Sequence, residues 1–294
     1  MALPVISEEF LQQMETLQLL VKNNVAGNFG GNRKTKKYGS SCEFADYRDY
    51  VAGDDITKID WNVYARFDKL YQKLYLDERQ MHTKIYIDAS RSMAYGSAEK
   101  ARQALKMAAV IAYLSICEMD RVSIFVIKEK ETTALINGII GKEAFTSKIG
   151  LLNTIDFSGD SYISDAIIPT PVGYGDGISV IISDFLTENN YEDAINHLAD
   201  KKRDVICLQI LSNEELNPLA RGKVHFFDSE NTSRFYRKNI DREVAKAYAK
   251  ALEYVMGRIK NCCASRDATY LMIPAEKSIG EVVFNEFSKM GVLK

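Results

Sequence analysis

The hydrophobic positions change their period about a quarter of the way along the chain. Early on, Phe10, Met14, Leu17 and Val21 recur at helical spacing behind Ser7, a candidate N-cap, and predict an amphipathic helix over 8–24. The stretch AGNFGGNRKTKKYGSS is Gly-rich and basic and reads as a loop. CEFADYRDYVAGDDITKIDWNVYARFDKLYQKLYLDE follows, dense in Asp, Arg and Tyr, with no long clean period. Val51, Ala52 and Gly53 read as a turn before its acidic pair.

From Thr83 strand-like runs alternate with helix-like ones. TKIYID, RVSIFVIK, GISVIISDF, DVICLQIL and ATYLMIP read as strands. Ala98 to Glu118 reads as a long helix with Leu105, Ala108, Ala109, Ala112 and Ile116 on one face. EAFTSKIGLLNTI, NYEDAINHLAD, Asp241 to Ser265 and Ser278 to Met290 read as further helices, and KVHFFDSENTSRFY as a short hairpin. Such alternation, with Val- and Ile-rich strands, predicts an α/β fold: a doubly wound, mostly parallel sheet with helices on both faces. The expected division is an accessory segment, 1–82, packed on a core domain, 83–294.

Composition adds boundaries to this picture. The chain has 294 residues, 46% hydrophobic and 27% charged, which is enough for a sizeable core without covalent staples. A net charge of -2 argues against a strongly basic nucleic-acid face. The five cysteines include no C-x-x-C and predict reduced thiols in a reducing compartment. His82, His197 and His225 are too few and too scattered for a zinc site. MALPVISEEFLQQ lacks the basic start of a signal peptide, and no apolar run reaches membrane-spanning length, so the expected location is the cytoplasm.

The candidate chemistry lies where two strands end in carboxylates. IYIDASRSM carries D-x-S-x-S, with Asp88 at the strand end and Ser90 and Ser92 on the turn. ISVIISD ends in Asp184, and a hydroxyl cluster around Ser161 precedes it. Open α/β sheets bind ligands beyond the carboxyl ends of their strands. Carboxylates and hydroxyls are hard oxygen donors, so a point where they converge suits Mg²⁺ or Mn²⁺. The plain alternative is a pair of capped turns with no ion.

These residues resemble the metal-ion-dependent adhesion site of von Willebrand factor type A domains: Asp88, Ser90 and Ser92 match its first motif, Ser161 stands where a Thr is usual, and Asp184 matches its last Asp. The segment Gly39 to Arg66 resembles the hallmark of domain-of-unknown-function family fifty-eight, approximately G-x-x-x-E-F-x-D-x-R-x-Y-x-x-G-D-D-x-R-x-I-D-W-x-x-x-A-R. Glu43, Phe44, Asp46, Arg48, Tyr50, Gly53, Asp54, Asp55, Ile59, Asp60, Trp61, Ala65 and Arg66 all stand in place. The departure is Thr57, where Arg is usual, with Lys58 beside it. The resemblance implies a Mg²⁺ or Mn²⁺ site at Asp88, Ser90, Ser92, Ser161 and Asp184. It also implies an adaptor working with a MoxR-type AAA+ ATPase, or with its client, in assembly or activation of protein complexes.

Two function classes follow: a metal-dependent protein-interaction module, and, as the alternative, a Mg²⁺- or Mn²⁺-dependent phosphoesterase. The charged segment reads either as a lattice of Arg–carboxylate pairs with Trp61 as an apolar anchor, or as a partner-docking cluster. GNFGGNRKTKK lacks G-K-[ST] and a feeding strand, so it reads as a solvated loop rather than a phosphate cradle. No G-x-S-x-G is present, which argues against a hydrolase triad. Cys262 and Cys263 read as packing residues of a helix tail.

Overall fold

A computed structural model describes residues 4–16, 44–75, 81–94, 99–175, 177–187, 189–218, 222–227, 235–240 and 242–283. They divide into two compact units: 4–16 together with 81–283, and 44–75. Leu17 and Val21 of the expected first helix, the basic loop, Glu43 and the end of the expected last helix lie outside the described residues.

The larger unit is built on β3 (His82–Asp88), β4 (Arg121–Lys128), β5 (Glu131–Ile139), β6 (Ile178–Ser183), β7 (Asp204–Leu211) and β10 (Thr269–Pro274). Their order across the sheet is β10-β7-β6-β3-β4-β5, parallel throughout except for the edge pair β4–β5. Numbered from the first strand of the unit, this is the 3-2-1-4-5-6 order of a doubly wound sheet, with its reversal between β3 and β6. The expected α/β class is therefore the observed one. β8 (Gly222–Phe227) and β9 (Phe235–Ile240) pair antiparallel, as the hairpin reading predicts.

Both faces of the sheet are covered, and alternate residues of each strand serve opposite cores. Ile85, Ile87, Val180, Ile182, Leu208 and Ile210 join one cluster with α3 (Glu99–Cys117), α4 (Lys142–Lys148) and the helix at 8–16, here α1. Tyr86, Ile181 and Cys207 join the other with α5 (Ile163–Ile167), α6 (Glu192–Asp200) and α8 (Arg242–Ala264). Double burial is why these strands read as unbroken hydrophobic runs. Ile6, Phe10 and Met14 of the N-terminal segment are buried in the first cluster, so that helix belongs to the α/β core rather than to the charged segment beside it in sequence.

Two further elements matter to the site. A short α7 (Asn213–Leu216) follows β7 through a capping box between Ser212 and Glu215, and a short α9 (Ile279–Val282) follows β10. The smaller unit pairs β1 (Phe44–Asp49) with β2 (Tyr71–Tyr75), antiparallel, around α2 (Trp61–Phe67). No helix among the described residues is long and apolar enough to cross a membrane.

Candidate functional site at the carboxyl edge of the sheet

Asp88 ends β3, and Asp184 stands one residue past β6, the strand hydrogen-bonded to it. The register brings Ser183 level with Asp88, and the Ser183 hydroxyl donates to Asp88 Oδ2 at 2.6 Å. Asp88 Oδ1 accepts from the Ser90 backbone N–H at 2.9 Å, the Asx geometry that turns the chain out of the strand. The Ser90 and Ser92 hydroxyl oxygens lie 3.0 Å apart. Asp88 and Ser90 are buried while Ser92 is half-buried, so the group opens to solvent on the Ser92 side.

Ser161 lies in the adjoining loop. That loop is laid against the Asp88 turn by two backbone bonds, Ser158 N–H to the Ala89 carbonyl and Arg91 N–H to the Gly159 carbonyl, each 2.9 Å. Ser161 is buried and its carbonyl accepts from Asn189. No described hydrogen bond joins its hydroxyl to Asp88, Ser90 or Ser92. The structure thus gathers Asp88, Ser90, Ser92 and Asp184 at the sheet's reversal point and holds Ser161 in the loop alongside.

Electrostatically the site is dominated by burial. The Asp88 carboxyl is pushed up from its ordinary pKa by burial and by the negative charge of Asp184, against the opposing bonds from Ser183 and Ser90. Asp184 Oδ2 accepts from Lys100 Nζ at 2.9 Å, and its Oδ1 from the Leu186 N–H at 3.1 Å. Lys100 Nζ also reaches Glu215 Oε1 at 2.5 Å. Burial alone would lower the Lys100 pKa, but the two carboxylates outweigh it and raise it. Next to Asp184, Phe185 is fully buried with φ +52°, an uncommon conformation for so bulky a side chain. Its N–H bonds Ser183 Oγ at 3.0 Å and its ring packs edge-on against Tyr191, which together hold the turn.

A family model described as "Protein of unknown function DUF58" matches residues 46–254. The chain belongs to that family. Among its relatives, the uncharacterized protein Rv1480 of Mycobacterium tuberculosis (strain ATCC 25618 / H37Rv) is 25% identical over 225 residues, covering 74% of this DUF58 chain and 70% of its own length. The uncharacterized protein Mb1516 of Mycobacterium bovis matches to the same extent. Two solved structures share lower likeness. The SpRpn10 VWA domain matches at TM-score 0.39 and 11% identity, over 71% of this chain and 95% of its own. The pilus adhesin SpaC from Lactobacillus rhamnosus GG matches at TM-score 0.42 and 9% identity, over 74% of this chain and 31% of its own.

In the smaller unit, Asp46, Arg48, Asp54, Asp55 and Asp60 of the DUF58 hallmark bond neighbouring side chains and backbone. Arg48 pairs with Asp54 at 2.7 Å and bonds Gln72 at 2.9 Å. Asp54 also takes the Val51 N–H, and Asp46 the Tyr47 N–H. Asp55 accepts from both the hydroxyl and the N–H of Thr57, which lower its pKa, so the residue that departs from the family pattern closes a turn here. Asp60 caps α2 through the Asn62 and Val63 N–H groups. The Tyr47 hydroxyl, foremost, and Lys73 help bring its pKa down to about 2. Arg66 is exposed in the last turn of α2.

Trp61 corrects the anchor reading. It is 57% exposed, its ring edge-on to Tyr64 at 6.1 Å. The cap explains this: Asp60 turns inward to the helix N–H groups and Tyr47, and the first helical residue projects outward.

Three residues around the site carry no mark in the sequence reading: Ser183 lies inside a strand run, Lys100 in a long helix, and Glu215 in the stretch after a strand. A signal for Lys100 was present: it lies four residues before Ala104 and seven before Met107, on the stripe that α3 buries.

Proposed function

We propose that this DUF58 chain is a metal-dependent protein-interaction module. Asp88, Ser90 and Ser92, with Ser161 and Asp184, would hold Mg²⁺ or Mn²⁺ at the reversal point of the sheet. The observation that carries the reading is the donor set. Two hydroxyls 3.0 Å apart adjoin a buried carboxylate. Asp88 and Asp184 are both buried and close enough for the charge of one to act on the other, while Lys100 bonds Asp184 and Glu215. Buried negative charge in excess, lined by hard oxygens, fits a divalent cation. When bound, the ion supplies a Lewis-acidic position that an acidic side chain of a partner completes.

The chain's own part is to hold those oxygens in place. Ser183 and the Ser90 N–H fix the Asp88 carboxylate, and the half-buried Ser92 leaves an approach from solvent. Family resemblance points to a MoxR-type AAA+ ATPase, or its client, as the partner. The test is capture of the cognate ATPase by immobilised wild-type chain and by Asp88→Ala/Ser90→Ala, in Mg²⁺ and in EDTA. Capture is expected only for the wild type in Mg²⁺. Undiminished capture in EDTA sinks the metal-bridged mechanism, and phosphatase turnover that is lost in Asp88→Ala replaces it with the enzymatic alternative.

A further inference from the structure

Lys100 is an unusual component of such a site. Its side chain is 4% exposed, it comes from the first turn of α3, and it bonds two carboxylates that follow two other strands, Asp184 after β6 and Glu215 after β7. Both Asp184 oxygens are thereby engaged, one by the ammonium and one by the Leu186 N–H. Asp88, by contrast, is met among the described residues by neutral donors, Ser183 Oγ and the N–H and hydroxyl of Ser90. The two carboxylates at the reversal point are thus treated differently: one is neutralised by a fixed internal cation and the other is not.

We infer, on the cation reading proposed above, that Lys100 sets how strongly the site holds a divalent ion. It ties back Asp184 and places a fixed positive charge beside it. A cation meeting Asp88, Ser90 and Ser92 then faces one free carboxylate instead of two. It is held weakly and keeps net positive charge, which the acidic group of a partner can satisfy. Removing the ammonium frees Asp184 and turns a weak, partner-dependent site into a strong, self-sufficient one. A lysine kept only to fill and neutralise the core would have no such effect on metal affinity.

The experiment is titration of the whole chain with Mn²⁺, followed by electron paramagnetic resonance of the free ion. It compares wild type, Lys100→Met and Lys100→Met/Glu215→Gln. The double variant removes an acid together with the base, and Gln still serves the capping box with Ser212, so it guards against a folding failure of the single one. Both variants are expected to bind Mn²⁺ at least tenfold tighter than wild type, and adding Asp88→Ala is expected to abolish the gain. Equal or weaker binding by the folded double variant overturns the role of Lys100 while leaving a cation-binding wild type intact. A gain that survives Asp88→Ala also overturns it, because the ion then sits elsewhere. No Mn²⁺ binding by any of the chains removes the cation reading itself.

Discussion

Single residues at the two ends of β3 are set by burial in opposite senses. At the amino end, burial first, and then the charges of Lys84, Arg203 and Arg121, hold the His82 imidazole down to about 4 from its ordinary 6.5. The unfolded chain binds a proton there in the window where the folded chain does not. Stability is therefore unaffected by His82 above pH 6.5, falls as pH drops from 6.5 toward 4, and levels off below. Chemical denaturation across that range should show a shallower loss for His82→Gln than for wild type; parallel curves would contradict the assignment. At the carboxyl end, Lys100→Met without metal leaves Asp184 buried and uncompensated. Its expected cost is about 3–5 kcal/mol by urea unfolding, the usual result of breaking a buried pair. Asp88, Ser90 and Ser92 stand together because D-x-S-x-S is local in sequence. The partners of the site's carboxylates were not legible, because Lys100–Asp184 and Ser183–Asp88 join residues 84 and 95 positions apart, and only the strand order brings them together.

Among the elements, doubly buried strands and long helices were the most legible, since their patterns are set by burial on every residue or on one continuous stripe. α3 spans Glu99–Cys117 and α8 spans Arg242–Ala264, within a residue at each end of the readings. β5 was missed: it lies at the edge, mixes exposed Thr and Glu with buried Ile, and so lacks a clean alternation. α2 and its flanking strands were missed for a related reason, since hydrogen-bonded charges and caps, not an apolar face, organise that unit. α1 is short but well anchored, with Phe10 only 5% exposed in the core cluster. Phe10→Ala is expected to cost about 3–5 kcal/mol in denaturant unfolding, and a cost under ~1 kcal/mol would mean that α1 is not a core element. Gly177 enters β6 where a Cβ would come within 2.5 Å of the His82 carbonyl and 2.6 Å of the Arg203 guanidinium. That guanidinium bonds Ser179 Oγ and the carbonyls of His82 and Ile178. Gly177→Ala should displace it and cost about 1–3 kcal/mol, read from the same unfolding curves.

For the molecule as a whole, the ion should matter to recognition more than to folding. The two cores on either side of the sheet form from the chain's own side chains. A weak site adds only RT ln(1 + [L]/Kd), on the order of 1 kcal/mol at millimolar metal. Thermal melts in Mg²⁺ and EDTA should differ by only a few degrees for wild type. The proposed function turns on where the cation sits, which crystals grown with MnCl₂ would reveal. Anomalous difference density is predicted beside the Asp88 carboxylate and the Ser90 and Ser92 hydroxyls. A map with no peak there, or with the chain's only ordered peak at another place, would overturn the cation site.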